Sequence, residues 1–186
     1  MTAALAARLA ALILGTALLE IVAVSQVSIF GVSADLSPLV VMSVGLLCGS
    51  TAGAVAGFGA GLFLDLALVQ TLGLSSLILL CVGYWAGRLR EERDPQGALV
   101  PLALGALFTL IFEGGYSVAQ FLLGIDSPVS WLLAREIVTT VLLNALIAGP
   151  VFAITRRWLT PSLPDHWRRR RRRATTSGGL SPLSRA

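Results

Sequence analysis

The chain has 186 residues, of which 55% are hydrophobic and 13% charged, and its mean hydropathy is +0.82. That is more apolar surface than a soluble globular domain carries, and the long uncharged runs, joined by short loops, leave no room for a separate aqueous domain. The formal charge of +4 comes from the C-terminal end, and all 14 basic residues are arginine, six of them in the unbroken run Arg168 to Arg173.

The first apolar segment, from about Leu9 to Phe30, follows Arg8 and is long enough to span a hydrocarbon core of roughly 30 Å. Ala23-Val24-Ser25 resembles a signal-peptide cleavage site, but Glu20 would interrupt the region that should be most apolar, so a retained helix is expected. Asp35-Leu36-Ser37-Pro38 reads as a helix start, with Pro38 in the first turn where its missing N–H does no harm. The run that follows, Leu39 to Val69, is too long for one untilted crossing and short for two. Two compact helices at about 36–49 and 52–68, meeting near Gly49-Ser50-Thr51, resolve this.

Within that run Gly45, Gly49, Gly53, Gly57 and Gly61 recur at every fourth position, and the next position in the row is Asp65. Residues four apart share a helix face, so the row is a stripe without side chains where a second backbone can come close, either a neighbouring helix or a partner. A fourth segment, Leu72 to Gly87, is closed by the polar cluster Arg88 to Asp94, with Tyr84 and Trp85 placed at an interface. The fifth, about Ala98 to Leu123, carries Glu113 next to Gly114 and Gly115. The loop 124–130 has no arginine, and the last segment, about Trp131 to Ile154, carries Arg135 and Glu136 at its start and Asn144 in its middle. Arginines at 88–93 and after 155 put those ends in the cytoplasm; counting back through six helices puts the N-terminus there too, whereas a single crossing at 39–69 would give five helices and put it outside.

The expected fold is therefore an all-α polytopic membrane protein, a compact bundle of about six transmembrane helices over residues 1–160, with a cytoplasmic, disordered, Arg-rich tail at 161–186. Glu20, Asp65, Glu113 and Asn144 lie at membrane depth, where a polar group costs free energy unless it is paired or hydrated; they either cross-link helices or line a ligand site. Cys48 and Cys81 read as buried, unpaired thiols, and His166 as a solvated tail residue. The run Arg168, Arg169, Arg170, Arg171, Arg172, Arg173, flanked by Trp158 and Trp167, suits anionic lipid headgroups or an acidic partner better than nucleic acid. No catalytic, cofactor-binding or metal-binding constellation is visible, so an enzyme is not expected.

Gly57-Phe58-Gly59-Ala60-Gly61-Leu62-Phe63-Leu64-Asp65-Leu66, followed by Leu72-Gly73-Leu74-Ser75-Ser76-Leu77, resembles the signature of the bacterial rod shape-determining MreD family. Asp35-Leu36-Ser37-Pro38-Leu39-Val40-Val41 and Asn144-Ala145-Leu146-Ile147-Ala148-Gly149-Pro150 are similar to two further pieces of it, and the resemblance covers roughly residues 5–160. The Arg-rich tail lies outside the family pattern. The resemblance implies a non-enzymatic inner-membrane scaffold of the elongasome, the peptidoglycan synthesis machinery that regulates cell shape. Its implied partners are an MreC-like bitopic protein, cell-wall synthases and an MreB-type filament. The family's fold looks like the substrate-binding subunits of energy-coupling-factor (ECF) transporters, which implies an alternative: a small-molecule binding subunit with Glu20 and Glu113 lining its pocket. A scaffold reading expects the glycine stripe to be exposed to a partner helix; a pocket reading expects the carboxylates to converge.

Overall fold

A computed structural model describes residues 3–26, 35–69, 71–93, 99–124 and 131–162. Among these the chain is all helical, with six α-helices: α1 (Ala3–Gln26), α2 (Leu36–Cys48), α3 (Ser50–Ala67), α4 (Leu74–Arg93), α5 (Val100–Leu122) and α6 (Trp131–Leu159). A 3-10 turn, Thr160–Ser162, follows α6. Among the described residues three stretches, Ser50–Ala67, Val100–Leu122 and Leu133–Leu159, are by length and composition long and apolar enough to cross a membrane. The Arg168–Arg173 run, His166, the expected disordered tail from residue 163 onward and the loop 125–130 lie outside the described residues, while Pro161 and Ser162, expected in that tail, belong to the 3-10 turn.

The short helix α2 is the axis of the bundle. Its residues from Ser37 to Leu47 are all buried, and it packs against α1, α3, α4, α5 and α6. Thirteen residues give a helix of only about 20 Å, short for a hydrocarbon core. An α2 apolar all round can be that short because protein, not lipid, surrounds it. The lipid-compatible surface lies on the other helices, where Leu18, Leu19, Phe58, Leu66, Leu110, Val118, Phe121, Leu142 and Leu146 are exposed. Polar side chains do the opposite: Ser43, Ser76, Thr109 and Asn144 are buried.

The break in the long apolar run falls at Gly49, whose φ of +94° is open to glycine and strained for other residues. Helices are thus found at 36–48 and 50–67, close to the expected pair. Three expectations need correction. Helix α1 begins at Ala3 rather than Leu9, because its first turns are alanine-rich and alanine is the strongest helix former. Helix α4 continues through Arg88 to Arg93 instead of ending at Gly87; Arg, Leu and Glu propagate a helix, and Arg88 pairs with Glu92 one turn on at 2.9 Å. Cys81 is exposed and Cys48 only half-buried, on faces of the bundle that a lipid environment tolerates.

Successive helices alternate in direction. Leu5 and Leu9 of α1 share a cluster with Leu47 of α2 and Leu159 of α6, and Arg8 donates to the Trp158 carbonyl at 3.4 Å, so the start of α1 and the end of α6 lie together. Glu91, near the end of α4, meets Ser50 at the start of α3. Gly105 of α5 meets Ala148 of α6, while Thr109 meets Asn144, an antiparallel register. Arg8, Arg88, Arg90, Arg156 and Arg157 consequently share one end of the bundle, and Glu20, Asp35, Glu113 and Glu136 lie toward the other.

Candidate functional site

The glycine row is covered by the chain's own α4. A Cβ added at Gly53 would lie 2.3 Å from the Gly83 carbonyl oxygen, one at Gly57 2.1 Å from that of Leu79, and one at Gly61 2.4 Å from the Ser76 backbone. At Gly45 the nearest atom is again the Gly83 oxygen, at 2.6 Å, so α2, α3 and α4 meet backbone to backbone around Gly45, Gly53 and Gly83. Gly49 sits in the turn beside Glu91. The stripe is therefore not an exposed surface for a partner helix, because in lipid such a surface is most readily used by the nearest helix in the same chain. Gly83 and Gly87 complete the contact from the α4 side. Their own four-residue spacing was the clue to them in the sequence.

The two helices of this hairpin also cap each other. The first N–H groups of any helix lack intrahelical acceptors. Asp65, wholly buried near the end of α3, accepts from the Gly73 N–H at 2.8 Å and the Ser76 hydroxyl at 3.4 Å, at the start of α4. At the opposite end Glu91 of α4 accepts from the Ser50 N–H and hydroxyl, both at 2.9 Å, at the start of α3. The Ser50 N–H, with lesser help from its hydroxyl and from Arg88 and Arg90, holds the Glu91 carboxyl below the ordinary glutamate range. A carboxylate at a helix N-terminus is also favoured by the helix dipole. The buried carboxyl group of Asp65 thus has a specific role: it closes the α3–α4 hairpin.

A second polar group lies toward the acidic end. Glu20 of α1 accepts from the Ser37 hydroxyl at the start of α2. Asp35 precedes α2 but makes no side-chain cap to it. Its main-chain carbonyl instead receives the Asn144 amide of α6 at 2.8 Å, and that amide also donates to Thr109 of α5 at 3.1 Å. Glu113 of α5 stands within hydrogen-bonding reach of Asp35 and within electrostatic reach of Glu20 and Glu136. The carboxylates from α1, α5 and the start of α2 thus do converge, and Asn144 ties α6 to them. No protein-family profile, curated protein or solved structure matches the chain.

What this acidic convergence can do follows from its geometry. Among the described residues no three Asp, Glu, His or Cys side chains come close enough to hold one metal ion. A cavity of about 10 Å³ beside Ser37, lined by Ile13, Thr16, Val40, Val41, Val44, Ala56 and Ala60, is room for no more than one water. Asn144 joins three segments distant in sequence, and its Oδ1 is buried without a hydrogen-bond partner among the described residues. Ser37, Thr109 and Asp35 could not be recognised as members of the group from the sequence, since single serines and threonines are common in apolar helices and their partners lie on other helices. Arg135 and Glu136 are exposed.

Proposed function

We propose that the chain is an integral membrane scaffold of the MreD type, located in a bacterial inner membrane with both termini cytoplasmic, that helps hold the cell-elongation machinery together and so maintain rod shape. The observation that supports this reading best is where the resembling segments lie. Gly57 to Asp65 and Leu72 to Ser76 form one close-packed, mutually capped hairpin, and the segments beginning at Asp35 and Asn144 are bonded to one another across the bundle. A rigid body of this kind suits a protein that works by holding others, and it needs no catalytic group. The arginine-bearing end would face the cytoplasm.

With the glycine row covered, the partner surface lies elsewhere. On α1, Ala7, Ala11 and Gly15 are exposed at four-residue spacing, and nothing lies within 4 Å of a Cβ at Gly15, so a bitopic partner helix could approach there. The test is purification from native membranes in mild detergent with identification of the accompanying proteins. Recovery of a single-pass periplasmic scaffold with cell-wall synthases is expected, and its loss on Gly15→Leu would place the contact on α1.

The convergence of Glu20, Asp35 and Glu113 favours the second reading, a substrate-binding subunit of an ECF-type transporter. Its mark in the same experiment is a membrane subunit with paired ATPases.

A further inference from the structure

The arginine-bearing end carries a feature that a scaffold role does not require. Helix α6 ends in Thr155-Arg156-Arg157-Trp158-Leu159, with Thr155 and Leu159 buried and Arg156, Arg157 and Trp158 exposed. The start of α1 packs against this turn through Leu5, Leu9 and Leu159, and Arg8 reaches across to the Trp158 carbonyl. Three arginines, Arg8, Arg156 and Arg157, therefore belong to the helical turns that make the α1–α6 contact. None of the three has a carboxylate partner among the described residues. Of the described acidic side chains at this end, Glu91 is engaged with Ser50 and Glu92 with Arg88.

That arrangement differs from a plain topology signal, which needs only positive charge somewhere near a helix end. Here Arg8 donates one N–H to the last turn of α6, where the helix carbonyls lack intrahelical donors, and so is held against the turn that carries Arg156 and Arg157. Arg156 and Arg157 are exposed on that turn, and forked guanidinium donors match the several oxygens of a phosphate. Trp158, 54% exposed, sets the depth of the group, since an indole ring settles at the headgroup level of a bilayer.

We propose that Arg8, Arg156, Arg157 and Trp158 form a binding site for the phosphate headgroup of an anionic phospholipid, at the cytoplasm-facing junction of α1 and α6. This site is on the folded bundle and is separate from the diffuse attraction of Arg168 to Arg173 to an anionic surface. It holds a lipid at one place on the protein's rim and so gives the bundle a preferred lipid neighbour. Each arginine near a membrane surface contributes about a fivefold gain in affinity for anionic lipid.

The experiment uses the full chain, purified in detergent and titrated with short-chain phosphatidylglycerol or, in parallel, phosphatidylcholine, with bound lipid counted by native mass spectrometry. The variants are Arg156→Gln with Arg157→Gln, then Arg8→Gln, and separately glutamine at all six tail arginines. The expected result is one tightly retained phosphatidylglycerol, weakened about 25-fold by the Arg156/Arg157 pair and little changed by the tail variant. Arg156 and Arg157 are exposed and carry no side-chain hydrogen bond among the described residues, so the paired variant is expected to fold, which an unchanged melting temperature checks. Equal retention of phosphatidylcholine, loss of retention only in the tail variant, or competition by inorganic phosphate as strong as that by lipid would each overturn the proposal. The first leaves a topology signal only, the second a tail effect, and the third a site for a soluble anion.

Discussion

Replacing Gly57 with alanine isolates the role of the glycine row. The new methyl carbon would lie 2.1 Å from the Leu79 carbonyl oxygen, where ordinary contact begins near 3.4 Å, so α3 and α4 must separate by about 1.3 Å or bend. The clash is with backbone, which cannot swing aside as a side chain can. Overpacking of this kind costs about 1–3 kcal/mol, against a gain of about 0.5–1 kcal/mol from exchanging glycine for alanine within a helix. Gly59→Ala, two residues away on the same helix, makes the same exchange with no atom within 4 Å. The difference between the two variants removes the propensity term and leaves about 1–3 kcal/mol of clash. For a chain of this size that corresponds to a gap of roughly 2–12 °C in melting temperature. The assay is thermal unfolding in detergent, followed by loss of the monodisperse peak of a fluorescent fusion. Equal melting temperatures for Gly57→Ala and Gly59→Ala would refute the close approach of α3 and α4.

Asp65→Ala should destabilise the bundle by about 1–3 kcal/mol, because it removes the acceptor at the start of α4 and leaves the donors there unpaired, whereas Asp65→Asn, which keeps one acceptor oxygen, should lose less; the same melting assay ranks them. Asn144→Leu should cost about 0.6–2 kcal/mol for each helix link lost, and Thr109→Val only part of that, because the bond to the Asp35 carbonyl survives. Glu91 is an acid whose folded value is depressed, so its contribution is present above the ordinary glutamate value of about 4.3 and is lost as pH falls through its lower folded value. Wild type and Glu91→Gln should therefore differ in melting temperature at neutral pH and converge as the medium is acidified below that value; a constant gap would contradict the Ser50 cap. The Gly15→Leu variant should weaken recovery of a bitopic partner without lowering the melting temperature, since that site is open in the isolated chain.

Much of the fold was legible in the chain because hydropathy and helix-breaking residues are local properties. Uncharged runs marked the helices, Gly49 marked the break between α2 and α3, and the concentration of arginine marked the ends that lie together. Boundaries were read less well where polar residues continue a helix into water, as Arg88 to Arg93 do at the end of α4. The glycine row announced a close backbone approach, but a row of missing side chains carries no record of what fills the space. Only the tertiary structure assigns that space to α4, through Gly83, Gly87 and the backbone of Leu79 and Ser76. The same limit applies to the buried polar residues. That Asp65, Glu20, Glu113 and Asn144 need partners followed from the cost of burying them. Which partners they find, Gly73 and Ser76 for Asp65, Ser37 for Glu20, Asp35 for Glu113, the Asp35 carbonyl and Thr109 for Asn144, depends on which helix faces meet. Hydrogen bonds between residues as far apart in sequence as Asp35 and Asn144 are set by the packing of whole helices, and that packing is what the order of residues along one chain does not display.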